Sequence, residues 1–152
     1  KFDFRMYILI ASVNPLIVYY HDGFIRASLS KYDKYSKDRS IHFTNTHLSK
    51  KIFKLARENG TYFGMTEDEL RDYQMWTMEE LTEYLIEIGK VDSMDWLDSY
   101  LRYHFKKAFV HIGRMIEPYV LKSSSVFEFF GIDFMIDDNL NLWFIECNAS
   151  PQ

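Results

Sequence analysis

Three oxygen-bearing side chains near the end of the chain, Asp133, Glu146 and Asn148, stand at a spacing that could gather them around one hard cation. They lie in two apolar, aromatic-rich runs, 127–137 and 140–147, which read as strands joined at the turn signal Asp137-Asp138-Asn139-Leu140. An even loop of two or four residues sets Asp133 opposite Phe144 and Gly131 opposite Glu146. Opposite residues share a face and strand side chains alternate, which puts Asp133, Glu146 and Asn148 on one side. Asp133 and Glu146 are then diagonal neighbours, within about 7–8 Å at the backbone. Two carboxylates and an amide carbonyl suit Mg²⁺, which commonly takes one or two carboxylates plus substrate phosphate oxygens. Both acids are flanked by bulky apolar residues, where a carboxylate needs a partner or a metal. A hairpin carrying two solvated acids is the alternative, and the pattern alone does not separate the two. A calcium loop starting at Asp137 is excluded, because its sixth position is Leu142 rather than Gly and its twelfth is Asn148 rather than Glu.

Charge supplies the second signal. Residues 1–57 carry eleven Lys/Arg against four Asp/Glu, and residues 58–152 carry seven against eighteen. The first third is therefore able to face an anion such as a phosphate or an acidic peptide. Duplex nucleic acid is a poor partner for a chain whose remainder is this acidic. No apolar run approaches the roughly 20 residues that span a bilayer, so no membrane partner is expected. The single cysteine, Cys147, excludes an internal disulfide framework and a cysteine-ligated zinc site, and fits a reducing compartment.

The elements that must position these groups follow from apolar patterning. Met6 to Val13 reads as a buried strand, Asn14-Pro15 as a turn, and Leu16 to Tyr20 as a second strand. His21-Asp22-Gly23 reads as another turn before a third strand, Phe24 to Leu29, giving an antiparallel meander from which Arg26 projects on one face. Residues 30–40 form a polar loop, followed by a short extended piece at Ile41-His42-Phe43. Thr66-x-x-Glu69 and Thr77-x-x-Glu80 have capping-box spacing, so helices are expected near Glu67 and from Met78 to about Gly89. Leu97, Leu101, Phe105, Ala108, Ile112 and Ile116 mark one long amphipathic helix from Met94 to about Glu117, ended by Pro118. His104 and His111 on that helix lack a second ligand at metal spacing. Strands, then helices, then strands indicate an α+β fold.

Taken together, several segments resemble the tubulin–tyrosine ligase-like family. They are Lys1-Phe2-Asp3-Phe4-Arg5, His42-Phe43-Thr44-Asn45, Phe129-Phe130-Gly131-Ile132-Asp133 and Phe144-Ile145-Glu146-Cys147-Asn148-Ala149-Ser150-Pro151. The resemblance implies the C-terminal lobe of an ATP-grasp fold, an antiparallel sheet packed with helices, with residues 1–152 forming part of a single domain. The expected activity is an ATP-dependent ligase that adds glycine or glutamate to carboxylates of acidic tubulin tails through an acyl-phosphate. Carried over residue by residue, Lys1 and Asp3 contact nucleotide, with Thr44 and Asn45 lining it. Arg5 meets the transferring phosphate, and Arg26 holds the carboxylate of the free amino acid. Asp133, Glu146 and Asn148 ligate Mg²⁺. The expected location is cytoplasmic, on microtubules or in a cilium. Because the chain opens on Lys1 directly in a strand-like stretch, it reads as a fragment, with the nucleotide hinge expected upstream.

Overall fold

In the computed structural model, the described residues are 1–42, 44, 46–58, 64, 66–119, 127–149 and 151. Strand β1 (Phe2–Val13) and strand β2 (Leu16–Ala27) form a long antiparallel hairpin around a cis Asn14-Pro15 peptide. The meander of three short strands is thus replaced by two long ones, and His21-Asp22-Gly23 is not a turn. Arg5 pairs with Phe24 and Tyr7 with His21, so Asp22 and Gly23 together oppose Met6 in a β-bulge. The residue types that suit a turn serve a bulge here because the backbones touch. A Cβ on Gly23 would lie 1.6 Å from the Arg5 carbonyl oxygen.

β4 (Glu128–Ile136) pairs with β1, and β5 (Leu142–Asn148) with β4; the two-residue β3 (Met75–Trp76) pairs with the far side of β2. The sheet order is β3-β2-β1-β4-β5, antiparallel throughout. One face is apolar: Phe4, Met6, Ile8, Ile25, Ile132 and Phe134 are buried against Met78, Leu81, Leu85, Leu97, Leu101, Phe105 and Phe109. The Phe105 ring meets Phe4 and Phe134 edge-on, each with centroids 5.2 Å away. The α+β class read from the sequence holds.

Helices α1 (Arg39–His42), α2 (Thr46–Glu58), α3 (Glu67–Gln74), α4 (Met78–Glu87) and α5 (Tyr103–Ile116) complete the fold. Thr66 and Thr77 close both expected capping boxes, and Gly89 follows α4 with φ +68°. Residues 41 and 42 are helical rather than extended, and Phe43 lies outside the described residues. The Ile41 N–H donates to the Asp38 carbonyl (3.3 Å) and His42 Nε2 lies 2.6 Å from the Ser36 carbonyl oxygen, which ties this turn to the loop before it. Helix α2 was not anticipated. Buried Gln74 ties it to the sheet by donating to Ser49 Oγ (2.8 Å) and to the Ala27 carbonyl (3.1 Å).

The expected long helix is divided. A π-helical turn, Leu97–Arg102, precedes α5, and a 3₁₀ turn at Glu117–Tyr119 carries Pro118. The buried positions Leu97, Leu101, Phe105, Phe109 and Gly113 recur every four residues. On a helix of 3.6 residues per turn, such steps carry a stripe about 160° round the axis over that length. A wider turn removes part of that drift and keeps the stripe on the sheet.

The β4–β5 connection has five residues, 137–141, held by Asp137. Its carboxylate accepts from Trp143 Nε1 (3.0 Å), from Asn141 Nδ2 (3.0 Å) and from the backbone N–H groups of Asn139 and Asn141 (both 2.9 Å). The Trp143 bond first, then those from Asn141 and Asn139, bring the Asp137 pKa down to about 2. A group depressed on folding stabilises above its unfolded pKa and loses that contribution as pH falls through the folded value. Asp137→Asn is therefore expected to lower the thermal midpoint at neutral pH, with the difference from wild type closing between about pH 4 and pH 2. Melting curves of both proteins across that range check it.

Candidate active site

The sheet face turned away from α4 and α5 carries the chemistry. Along β1 the odd-numbered residues Asp3, Arg5 and Tyr7 point to it, because Phe4, Met6 and Ile8 fill the core. Arg26 stands opposite Asp3, Asp133 opposite Arg5, and Glu146 opposite Asp133, giving a charged row across four strands. Asn148 pairs with Gly131 one step away.

Two bulges make this row possible. Before Asp22-Gly23, β2 shows odd residues, Tyr19 and His21, to this face; after it, Phe24 and Arg26 are shown. In β5 the pairing runs Phe134 with Phe144, then Asp133 with Glu146, leaving Ile145 as the extra residue. The expected register, with Asp133 opposite Phe144 and Gly131 opposite Glu146, is corrected accordingly. The odd five-residue loop and the bulge together bring Asp133 and Glu146 directly opposite instead of diagonal. A one-residue slip reverses every side chain of a strand, so without the bulges Arg26 and Glu146 would turn toward the helices.

Asp133 is the most buried member, 4% exposed, and both its oxygens are engaged. Arg5 donates from Nε to Oδ1 (2.5 Å) and from Nη2 to Oδ2 (3.1 Å), and Arg26 Nη2 reaches Oδ2 at 2.9 Å. Arg26 also forks onto Asp3, Nε to Oδ1 at 2.9 Å and Nη2 to Oδ2 at 2.5 Å. Burial works against the charged form of Arg26, but its bonds to Asp3 and Asp133 outweigh it, and its pKa is raised. Gly131 makes room for this network: a Cβ there would lie 3.3 Å from Arg5 Cδ and 2.6 Å from Pro151 Cβ.

Two guanidiniums balance two carboxylates, leaving Glu146 as the surplus acid. It is exposed, and its Oε1 accepts from Asn148 Nδ2 at 3.3 Å. Among the described residues no three His, Cys, Asp or Glu side chains cluster as a metal site. Asp133, Glu146 and Asn148 nevertheless form an all-oxygen set on one face, the chemistry that a hard cation takes. Glu146 and Asn148 are open to it, and Asp133 would join by giving up guanidinium hydrogen bonds. The other expected site residues stand apart. Lys1 lies at the start of β1 with Nζ 5.9 Å from the Tyr32 ring centroid, bordering a pocket of about 260 Å³ with Ser28, Lys31, Tyr73 and Trp76. Thr44 is buried after α1, and Asn45 lies outside the described residues. Among the described residues, no hydrogen bond or ion pair joins Lys1 or Thr44 to the charged row. Sequence reasoning missed Tyr7 and Phe129, whose rings stack beside the row with centroids 5.5 Å apart at 4°. It also missed the bulge, for which a lone Gly inside a strand pattern was the available signal.

A sheet with one face buried under helices and the other holding ordered arginines and carboxylates is an α+β architecture consistent with an ATP-grasp-like fold. Residues 1–152 match the family described as "Tubulin-tyrosine ligase family". The chain belongs to that family. It is 30% identical to the human protein named "Inactive polyglycylase TTLL10", over 99% of this chain and 21% of that protein. It is 32% identical to the Mus musculus "Tubulin polyglutamylase TTLL5" (99% of this chain, 11% of that protein). It is also 32% identical to the Drosophila melanogaster "Tubulin glycylase 3A" (99% and 14%). The chain therefore spans a minor part of the relatives it matches. No helix among the described residues is long and apolar enough to cross a membrane.

The burial difference between the two acids has a measurable result. Asp133→Ala leaves Arg5 and Arg26 without their shared partner and is expected to cost about 3–5 kcal/mol. Glu146→Gln, on an exposed edge position, is expected to stay within about 0.5 kcal/mol of wild type. Urea unfolding of the two variants separates these outcomes.

Proposed function

We propose that this chain is the C-terminal part of an ATP-grasp domain in an ATP-dependent ligase, one that joins glycine or glutamate to carboxylates of tubulin tails. The observation that carries the reading is the charged row of Arg26, Arg5, Asp133 and Glu146 on the open sheet face, in a chain of this family. Relatives named as a tubulin polyglutamylase and a tubulin glycylase support both donor amino acids equally.

In this reading a tail carboxylate oxygen attacks the γ-phosphorus of ATP, the bond to ADP breaks, and an acyl-phosphate results. The amine nitrogen of the free amino acid then attacks the acyl carbon. A C–N bond forms as the bond to phosphate breaks, and the amine proton passes to solvent. Phosphoryl transfer depends mainly on positioning and charge neutralisation. Arg5 neutralises the transferring group, and the Arg26 fork holds the amino acid's carboxylate, a bidentate task that lysine performs poorly. Lys1, Asp3, Thr44 and Asn45 line the nucleotide. Mg²⁺ held by Asp133, Glu146 and Asn148 would neutralise phosphate charge. Both arginine forks are occupied by Asp133 and Asp3 in the described structure, so incoming anions exchange with these carboxylates instead of meeting bare cations. The basic bias of residues 1–57 suits an acidic tail, and tubulin as partner implies a place beside microtubules, in the cytoplasm or a cilium.

A second reading is a silent relative that only grips acidic tails, favoured by the similarity to a relative named inactive. A ligase with a protein substrate other than tubulin is the third. The test is Mg²⁺-dependent ADP release by the full-length protein with a tail peptide and an amino acid; no turnover with any amino acid overturns the enzyme reading. Glu146→Gln is expected to lower turnover about 100-fold or more. It is expected to leave peptide affinity nearly unchanged, whereas a pure tail-binder shows no turnover to lose. Arg26→Lys is expected to raise KM for the amino acid about tenfold, read by initial rates.

A further inference from the structure

Behind the charged row, on the helix side of the sheet, Arg102 closes the π-turn and reaches β2. Its guanidinium donates from Nε to Asp22 Oδ2 (2.6 Å), from Nη2 to Glu79 Oε1 (2.8 Å) and from Nη1 to Asp98 Oδ1 (2.9 Å). Glu79 in α4 and Asp98 in the π-turn thus aim the fork, and Asp22 receives it. Asp22 Oδ1 is buried with no hydrogen-bond partner among the described residues, so the side chain is anchored through Oδ2 and Arg102. Asp22 is also half of the β2 bulge. Its neighbour Gly23 presses on the Arg5 backbone carbonyl, Phe24 stands opposite Arg5, and Arg26 follows two residues later on the same face.

The geometry points to Arg102 as a positioning residue for Arg5 and Arg26. By holding Asp22 from the helix side, it fixes the bulge that turns Arg26 onto the charged face and seats Gly23 against Arg5. The extra width of the π-turn and the extra residue of the bulge face each other, and one ion pair joins them. Lysine cannot replace Arg102, because an ammonium cannot hold three carboxylates in fixed directions. The consequence for catalysis rests on the ligase reading above; the consequence for the two arginines does not.

The test uses the full chain with ¹⁵N at arginine Nε, the Arg5 and Arg26 signals being assigned through Arg5→Lys and Arg26→Lys. In Asp22→Asn and in Arg102→Lys, the Nε–H resonances of Arg5 and Arg26 are expected to move from their wild-type positions. The exposed control Arg71→Gln leaves both where they are. If the ligase reading holds, the same two variants lower kcat/KM for the amino acid by about 10- to 100-fold, the scale expected of a small misplacement. The rate at saturating ATP falls as well, since Arg5 is the group that meets the transferring phosphate in that reading. Folded variants with unmoved Arg5 and Arg26 resonances overturn the proposal and leave Arg102 as a tertiary staple. Arg102→Lys decides alone where Asp22→Asn does not fold. Moved resonances without turnover by the wild-type protein keep the positioning role and overturn the ligase instead.

Discussion

A carboxylate buried to 4% exposure between two guanidiniums is the constraint around which this sheet is arranged. Withdrawing Asp133 from water is tolerable because Arg5 and Arg26 together replace its hydration; Arg5 in turn has its carboxylate partner in Asp133, while Arg26 shares Asp133 with Asp3. Arg5 must therefore come from β1 and Arg26 from β2, both on the face opposite the aromatic core. The backbone must also bring Gly131 and Gly23 close enough that no side chain intervenes. The apolar face supplies the buried area, and the ion network is made in the register observed, which a one-residue slip would break. Ionic groups that cost as much as they return in stability are well suited to this discriminating role.

Much of this was legible in the residues. Alternation assigned Asp133, Glu146 and Asn148 to one face, and that face is the one observed. The register behind the assignment was different, because a bulge at Ile145 leaves no mark in hydrophobic periodicity. The sequence His21-Asp22-Gly23 has the chemistry of a turn, and only the close approach of Gly23 to the Arg5 carbonyl makes it a bulge. That approach is a long-range fact, and Gly23 inside a strand pattern was its one local sign.

The helices divide in the same way. Capping boxes at Thr66 and Thr77 depend on groups three residues apart, so local spacing located both starts. The π-turn depends on what Leu97, Leu101 and Phe105 must face, and a four-residue step instead of a mixed three-and-four step was its signature. Helix α2 was readable in principle from Leu48, Ile52 and Leu55 at steps of four and three. The site divides by the same rule. Asp3, Arg5, Arg26 and Asp133 converge because sheet pairing forces them to, whereas Lys1 and Thr44 occupy segments whose relation to the row no ladder dictates.

The two borders of the sheet are unequal. On one side the two-residue β3 covers only Ile25 and Arg26 of β2. On the other, β5 runs from Leu142 to Asn148 with Trp143, Phe144 and Ile145 exposed along it. A border of that length, unpaired among the described residues and bearing large apolar side chains, is a template for a neighbouring chain. In concentrated preparations this margin is where self-association would begin, and the seam so formed would run along the strand that carries Glu146.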